Sequence, residues 1–396
     1  MTSERSGELA PPSRLLLGPG PSLVHPRVLR AMATPLLGHL DPAFLQLMDE
    51  IQHQLRQVFR TVNPFTIAVS GTGSAGMEAV LVNLVEPGDP VVVGVNGIFG
   101  TRMATIVERC GGKPIRVEAP WGRIAEPDAI ARALSRSGPV KAVALVHAET
   151  STGVEQPIEP VGRLCREHGA LLIVDAVTSL GGLPVEVDRW SADACYSGTQ
   201  KCLSCPPGLA PLTLSERALE TVRRRKVPCQ SWYLDLSLVA DYWAEGRRAY
   251  HHTAPISMLY GLREALRLVL EEGLEARFAR HRLNSAALMA GLAALGLAPF
   301  AQEGHRLPSL NCVALPPSVE DAPVRAELLR DYGIEIGGGL GPLQGKVWRI
   351  GLMGESSAKS HVLTLLSALE GIFHRRGWLS RPGTALEAAA RVYIAQ

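Results

Sequence analysis

An alternation of short apolar runs with helical patterns constrains the fold of this chain more than any other feature. Six runs are typical of buried strands, and helical patterns lie between most of them, as at residues 102–110, 127–137 and 160–168. Strands joined in this way form a doubly wound, mostly parallel α/β sheet that binds ligands outside the carboxyl ends of its strands. The six runs are residues 65–69, 91–95, 115–117, 142–146, 171–175 and 194–197.

The pattern becomes mainly helical after Pro255. Helical patterns at residues 258–271 and 274–295 precede two further strand patterns, at 310–314 and 347–352. A chain of 396 residues is also too long for one small core. We expect three parts, which are an N-terminal arm (residues 1–16), a large domain (17–275) and a smaller C-terminal α/β domain (276–396).

Charge and hydropathy narrow the choice of partners and compartment. The chain has 40 basic and 38 acidic residues, which gives no reason to expect nucleic acid or a membrane surface as a partner. No apolar run approaches the ~20 residues needed to span a bilayer. Residues 1–14 are polar and unlike a secretory signal or transit peptide, and residues 392–396 are not a peroxisomal address. We therefore expect a cytoplasmic protein.

The cysteines do not indicate a disulfide framework or a metal site. There are seven, an odd number scattered through a long chain. Cys202 and Cys205 have the spacing of half a zinc site, but no second pair occurs at ligand spacing. We expect both to pack as small residues and predict no metal.

A glycine-rich loop, SGTGSAG at residues 70–76, follows the first predicted strand and opens a helical pattern at 77–84. Glycines let the backbone approach an anion, and the free N–H groups and dipole of a helix N-terminus attract it. The loop also matches the dinucleotide pattern GxGxxG. A dinucleotide site needs an acidic residue after the next strand, which here ends at Asn96. The loop therefore favours the phosphate of a smaller cofactor.

A lysine and an aspartate follow two of the predicted strands. Lys201 ends the sequence SGTQK at residues 197–201, and Asp175 ends the sequence LLIVD at residues 171–175. A partly desolvated lysine has a lowered pKa and attacks carbonyl groups. Alone, each residue would more often be a solvated charge or a helix cap. Together with the phosphate-type loop they predict a pyridoxal 5'-phosphate enzyme, in which the lysine forms a Schiff base and the aspartate pairs with the pyridine nitrogen.

Several further segments extend this pattern over nearly the whole chain. They are LGPGPS at 17–22, NGIFG at 96–100, HAETSTGV at 147–154, YHHT at 250–253, GGGLGP at 337–342 and VWRIG at 347–351. With them, the chain resembles the alanine–glyoxylate and serine–glyoxylate aminotransferases among the class V, fold-type I pyridoxal phosphate enzymes. The resemblance implies a homodimeric transaminase that moves an amino group from alanine or serine to glyoxylate or pyruvate by a ping-pong mechanism.

The resemblance also implies a role for each matching residue. Lys201 would bind the cofactor covalently and shuttle the substrate proton, and Asp175 would hold the pyridine nitrogen protonated. Phe99 would stack on the ring, and Thr150 would hydrogen-bond its phenolic oxygen. Arg349 would pair with the α-carboxylate of the substrate, because its planar fork fits that group. The implied phosphate ligands are Thr72, Gly73, Ser74 and Gln200.

Four further residues complete the implied site. Gly38 and His39, with the loop at residues 337–339, would line the substrate pocket. Tyr250 and Thr253 match residues that reach the phosphate from the partner subunit, so that each active site would be built from two chains, with the N-terminal arm lying over the partner.

Two positions depart from the vertebrate members of this family. Phe99 stands where they carry tryptophan, and Ser74 stands where they carry histidine. Any aromatic face can stack on a ring, and a phosphate loop can work without an imidazole. The substrate preference of the vertebrate branch therefore does not transfer.

Alternative functions remain open on the sequence. Serine–pyruvate and pyridoxamine–pyruvate transaminases are further class V possibilities. A cysteine desulfurase would need a nucleophilic cysteine in a mobile loop, yet residues 331–346 contain none and Cys312 lies in an apolar strand pattern. An oxidoreductase that uses the glycine-rich loop and a non-catalytic protein of the same fold are the remaining candidates.

Overall fold

The computed structural model describes residues 8–244 and 248–395 of the chain. Its centre is a seven-stranded sheet whose strands follow the order β2-β10-β9-β8-β5-β3-β4. The strands are β1 Leu15–Leu16, β2 Thr66–Ser70, β3 Pro90–Val95, β4 Lys113–Glu118, β5 Ala142–Val146, β6 Ala148–Glu149, β7 Val154–Glu155, β8 Leu171–Asp175, β9 Ala194–Tyr196, β10 Leu209–Leu214, β11 Ala298–Pro299, β12 Leu310–Ala314, β13 Ile334–Glu335, β14 Gly337–Gly338 and β15 Val347–Gly351.

Helices cover the sheet and connect most of its strands. They are α1 Pro26–Met32, α2 Pro42–Phe59, α3 Gly73–Leu84, α4 Ile98–Arg109, α5 Pro127–Arg136, α6 Glu159–His168, α7 Glu216–Arg223, α8 Leu236–Trp243, α9 Ile256–Glu272, α10 Leu274–Ala294, α11 Asp321–Tyr332, α12 Lys359–Arg375 and α13 Thr384–Ile394. Short 3₁₀ turns lie at Gly341–Leu343 and Gly354–Ser356. Within the described residues, no helix is long and apolar enough to cross a membrane.

The large sheet is mostly parallel, as predicted. β4, β3, β5, β8 and β9 run in the same direction, and every residue of β5 and β8 is buried. Such burial on both faces explains why these strands read as continuous apolar runs rather than as alternating ones. All six predicted strands are present to within two residues at each end, which confirms the doubly wound fold class.

One strand of the large sheet, β10, was not predicted from the sequence; it pairs antiparallel with both β2 and β9. Its sequence LAPLTL contains Pro211, and proline inside a central strand normally argues against the assignment. The carbonyl oxygen of Pro211 nevertheless accepts a hydrogen bond from Ser197 N at 2.7 Å. This bond helps to fix the segment that leads from β9 to Lys201.

A second sheet lies in the C-terminal part of the chain. It has four strands in the order β11-β12-β15-β14, all antiparallel. Its buried core is separate from that of the large sheet and includes Trp348 and Phe373. Leu17 joins this second core, and β1 beside it pairs with β13, so the N-terminal segment packs on the C-terminal sheet. The domain boundaries at residues 16 and 275 stay a prediction.

Candidate active site

A cavity of about 250 Å³ opens at the carboxyl ends of the parallel strands, as this sheet topology requires. Its lining comes from the α3 and α4 N-termini, from the ends of β5 and β8, and from the loop after β9. Eight of the predicted site residues meet there. They are Thr72, Gly73, Ser74, Phe99, Thr150, Asp175, Gln200 and Lys201.

Lys201 lies in the turn after β9 and is largely buried. Its Nζ donates a hydrogen bond to the carbonyl oxygen of Pro19, so the N-terminal segment covers the amine. A Cβ on Gly20, whose φ is +108°, would come within 2.5 Å of Nζ, so only glycine fits this close approach. Burial lowers the pKa of Lys201 to about 8. The amine is therefore deprotonated more readily than that of an ordinary lysine, as a carbonyl nucleophile requires.

Asp175 ends β8, and only 3% of its surface is exposed. Oδ1 accepts a hydrogen bond from Val177 N at 2.9 Å, and Oδ2 accepts one from the Tyr196 hydroxyl at 3.0 Å. Burial raises the pKa of Asp175 to about 7, although the two hydrogen bonds and the charge of Arg102 act in the opposite direction. A pyridinium nitrogen would supply a positive charge and stabilise the carboxylate.

Tyr196 was not among the predicted residues. It ends β9, where it lies directly opposite Asp175 in the parallel register. That register was the available signal, because neighbouring parallel strands end at the same edge of a sheet.

The predicted phosphate loop forms the N-terminus of α3. Thr72 occupies the N-cap position, and its side chain makes no capping hydrogen bond. Ala75 N and Gly76 N donate to Thr72 O, so the N–H groups of Gly73 and Ser74 are the ones available to an anion. A Cβ on Gly73 would lie 2.9 Å from the side chain of Val177, which leaves room only for glycine. Gln200 Oε1 is buried without a hydrogen-bond partner among the described residues, so this amide has capacity left for a ligand.

Phe99 is held in place by a fully buried carboxylate that the sequence analysis did not single out. Glu149 Oε2 accepts hydrogen bonds from Phe99 N at 3.1 Å and Gly100 N at 3.3 Å, which caps the N-terminus of α4. Glu149 Oε1 accepts a bond from Ser151 N at 3.1 Å. Burial raises the pKa of Glu149 although these hydrogen bonds act in the opposite direction. The ring of Phe99 therefore lines the cavity from a fixed backbone position.

Arg349 lies on β15 with 6% of its surface exposed. Its Nε donates to Gly338 O at 2.7 Å and its Nη1 to Thr150 O at 3.4 Å. Within the described part of the chain it forms no ion pair, and burial lowers its pKa. The side chain lines a groove beside Gly338 and Gly339 rather than the cavity itself, and the Thr150 contact connects the two.

The other four predicted residues do not line the cavity of this chain. The His39 ring lies 5.2 Å from the ring of Tyr250, and the Tyr242 hydroxyl donates to His39 O at 3.1 Å. Thr253 and Gly38 are exposed, and 61% of Tyr250 is exposed. The roles of Gly38, His39, Tyr250 and Thr253 therefore stay predictions.

Comparison with known proteins decides the family. The model of the family described as aminotransferase class-V matches residues 16–347. The chain belongs to this family. It is 45% identical over 404 aligned positions to the (S)-ureidoglycine–glyoxylate transaminase of Bacillus subtilis, with 98% of this chain and 97% of the relative covered. The resemblance that the sequence motifs indicated is thereby confirmed.

Two solved structures extend this comparison. The ureidoglycine–glyoxylate aminotransferase from Bacillus subtilis has a TM-score of 0.96 and 46% identity, with 98% of this chain and 100% of that chain covered. The alanine–glyoxylate aminotransferase from Nostoc sp. has a TM-score of 0.91 and 51% identity, with 93% and 97% covered. The chain is thus a pyridoxal phosphate-dependent aminotransferase of fold type I.

The site residues fit that cofactor. The buried carboxylate of Asp175 suits a protonated ring nitrogen, and the N-terminus of α3 suits a phosphate. Lys201, whose pKa is lowered, lines the same cavity. The desulfurase alternative fails on its nucleophile, since Cys312 is buried and its pKa is raised to about 12. Cys202 and Cys205 are both buried, as expected for packing residues.

Proposed function

We propose that this aminotransferase moves the amino group of a small amino acid, alanine or serine, to glyoxylate or pyruvate. The observation that carries the proposal is the buried guanidinium of Arg349, which has no acidic partner among the described residues. A charged group in such a site is stabilised by a ligand of opposite charge. Donor and acceptor both carry an α-carboxylate, so one arginine can bind either of them in turn.

Each site residue has a separate role in the reaction. When bound, pyridoxal phosphate supplies an electron sink for the carbanion at the substrate Cα. Lys201, with a pKa of about 8, takes the proton from Cα of the donor in one half-reaction. In the other half-reaction it returns a proton to Cα of the amino acid that is formed. Asp175 keeps the pyridine nitrogen protonated, and the Tyr196 hydroxyl and Val177 N–H hold its carboxylate in place. Thr150 and Gln200 contribute polar groups at the edge of the cofactor.

Ureidoglycine is a further candidate donor, because the Bacillus subtilis relative matches this chain over nearly its whole length. That relative is named for ureidoglycine and glyoxylate, whereas the Nostoc structure is named for alanine and glyoxylate. Glyoxylate is common to both names, so we propose it as the preferred acceptor. Initial rates for alanine, serine and ureidoglycine against glyoxylate and pyruvate would decide; equal rates with all acceptors would contradict the proposal.

Replacement of Arg349 by lysine should raise KM for both the amino acid and the oxo acid, by about 10- to 100-fold, because the charge remains but the bidentate fork is lost. Steady-state kinetics on each substrate would measure this. The slow reaction of a primary amine without a carboxylate should be unchanged. The matched control is Arg325→Lys, since Arg325 lines the same groove but already pairs with Asp321. Equal losses with the amine and the amino acid would show that Arg349 is structural.

We also propose that the protein is a homodimer in which Tyr250 and Thr253 serve the phosphate of the partner subunit, with Gly38 and His39 beside them. Two exposed aromatic side chains support the proposal, Trp232 with 63% and Tyr250 with 61% of its surface exposed. Large exposed aromatic residues are enriched at protein interfaces. The hydrogen bond between Ser70 Oγ and His252 Nε2, 3.1 Å long, holds this segment near the phosphate loop of its own chain, so a dimer contact made by the segment would lie close to the active site.

Mixing two inactive variants tests the shared site. One carries Lys201→Ala and the other carries Tyr250→Phe with Thr253→Glu. Each hybrid dimer then has one native site, so an equal mixture should recover about a quarter of wild-type activity if the chains associate at random. Sites built within single chains would recover none, even when mass spectrometry shows that hybrids have formed.

We further propose a cytoplasmic location and the domain boundaries given above. All seven cysteines are free, which fits a reducing compartment. Cell fractionation would test the location. Limited proteolysis that cuts near residue 275 would support the boundary, whereas cuts confined to other regions would contradict it.

A further inference from the structure

We propose that the guanidinium of Arg102 binds the phosphate group of the cofactor. Arg102 lies on α4, three residues after Phe99, and its side chain lines the cavity. Its Nη1 donates a hydrogen bond to Ser74 Oγ at 3.0 Å. Ser74 belongs to the first turn of α3, where the phosphate is expected, so the guanidinium lies at the same end of the cavity.

The charges that line the cavity favour Arg102 as a ligand of the phosphate. A phosphate monoester carries about −1.5 to −2 charges at neutral pH. The charged residues that line the described cavity are Arg102, Asp175 and Lys201. Lys201 is committed to the carbonyl carbon of the cofactor and Asp175 to its ring nitrogen. Arg102 is thus the cation in this lining that is left for the phosphate, beyond the helix dipole of α3.

The guanidinium of Arg102 is held by two contacts and still has N–H groups free to bind a phosphate. Its central carbon lies 4.9 Å from the centroid of the Phe99 ring, which is a cation–π contact. The bond to Ser74 uses one of the five N–H donors of an arginine. Within residues 8–244 and 248–395, no carboxylate lies at ion-pair distance from Arg102, and its charge has only a minor effect on the pKa of Asp175. The remaining donors can therefore make a bidentate contact with phosphate oxygens.

A purely structural role is the competing explanation. In that case Arg102 would only hold Phe99 in position, and its loss would weaken the binding of every ligand that stacks on this ring. A phosphate contact predicts a different result, because only ligands that carry the phosphate would lose affinity. Pyridoxal, which has the ring and the aldehyde but no phosphate, separates the two roles.

The test is titration of the apoenzyme with pyridoxal phosphate and with pyridoxal, following the absorbance of each. Arg102→Gln should raise Kd for pyridoxal phosphate by about 10- to 100-fold, as expected for the loss of charge-assisted hydrogen bonds. Arg102→Lys should lose less, and Kd for pyridoxal should stay unchanged in both variants. Arg109→Gln, an exposed arginine at the end of the same helix, is the matched control and should change neither constant.

Two outcomes would overturn the proposal. Equal loss of affinity for both ligands would make Arg102 a brace for Phe99, and unchanged affinity for both would remove it from the site. The inference rests on the cofactor of the proposed reaction and not on its substrates. Because the titration contains no donor or acceptor, a failure here is distinguishable from a failure of the proposed transamination.

Discussion

Replacement of Lys201 by alanine is expected to lower turnover at least about 10²–10⁴-fold, the contribution of general acid–base catalysis alone, because the covalent link to the cofactor is lost as well. Turnover with the amino donor and glyoxylate measures the first effect. Mass spectrometry after borohydride reduction measures the second, since wild-type protein should carry the cofactor on Lys201 and the variant should carry none.

The environment of Lys201 adds a pH dependence to this result. Burial lowers the pKa of its amine to about 8, and only the deprotonated amine attacks a carbonyl. Covalent capture of the cofactor by apoenzyme should therefore become faster as the pH rises through 8. Lys346→Ala, which removes an exposed lysine, is the control and should behave as wild type. A Lys201→Ala protein with near-normal turnover in the absence of added amines would contradict the assignment.

Replacement of Asp175 by asparagine should leave the cofactor bound but slow proton abstraction by about 10²–10³-fold, as expected when one preorganised electrostatic group is removed. A neutral amide cannot stabilise a protonated pyridine nitrogen, so the electron sink weakens. Single-turnover rates with the amino donor measure this step directly. Unchanged rates would show that Asp175 does not contact the ring nitrogen.

The stability of the Asp175→Asn apoprotein separates this effect from damage to the fold. Burial raises the pKa of Asp175 from the ordinary value of 3.8 to about 7 in the folded chain. Ionisation therefore destabilises the folded state progressively as the pH rises from 3.8 through 7, and the penalty is complete above that range. Asparagine lacks this penalty, so the variant should unfold at the same or a higher temperature than wild-type apoprotein at pH 8.

The control for the kinetic measurement is Asp331→Asn. This change alters an exposed ion pair with Arg330 and should leave single-turnover rates unchanged.

The sequence predicted the sheet and the residues at its carboxyl edge because both follow from local patterns. Buried parallel strands read as apolar runs; Asp175 is the last residue of one of them, and Lys201 lies in the turn after another. β10 was missed because Pro211 interrupts its pattern, and only the tertiary pairing with β2 and β9 shows that it is a central strand.

The residues that support the site were harder to find from sequence. Glu149, Tyr196 and Arg102 act through contacts between elements that are distant along the chain, such as the 50-residue separation between Phe99 and Glu149. A glutamate, a tyrosine or an arginine also occurs at ordinary surface or core positions, so sequence spacing alone does not distinguish these three residues from structural ones. The positions of Gly38 and Tyr250 in one chain do not test their proposed roles, because residues proposed to serve a partner subunit are not expected to line the cavity of their own chain.

The two half-reactions test the central claim most directly. Holoenzyme is mixed with excess alanine, serine or ureidoglycine in separate experiments without any acceptor, and the oxo product is counted per subunit. With its true donor, the protein should release one equivalent of oxo product and then stop. After the excess donor has been removed, addition of glyoxylate should release one equivalent of glycine per subunit. Continuous product formation without an acceptor, or no product until donor and acceptor are both present, would contradict a ping-pong aminotransferase.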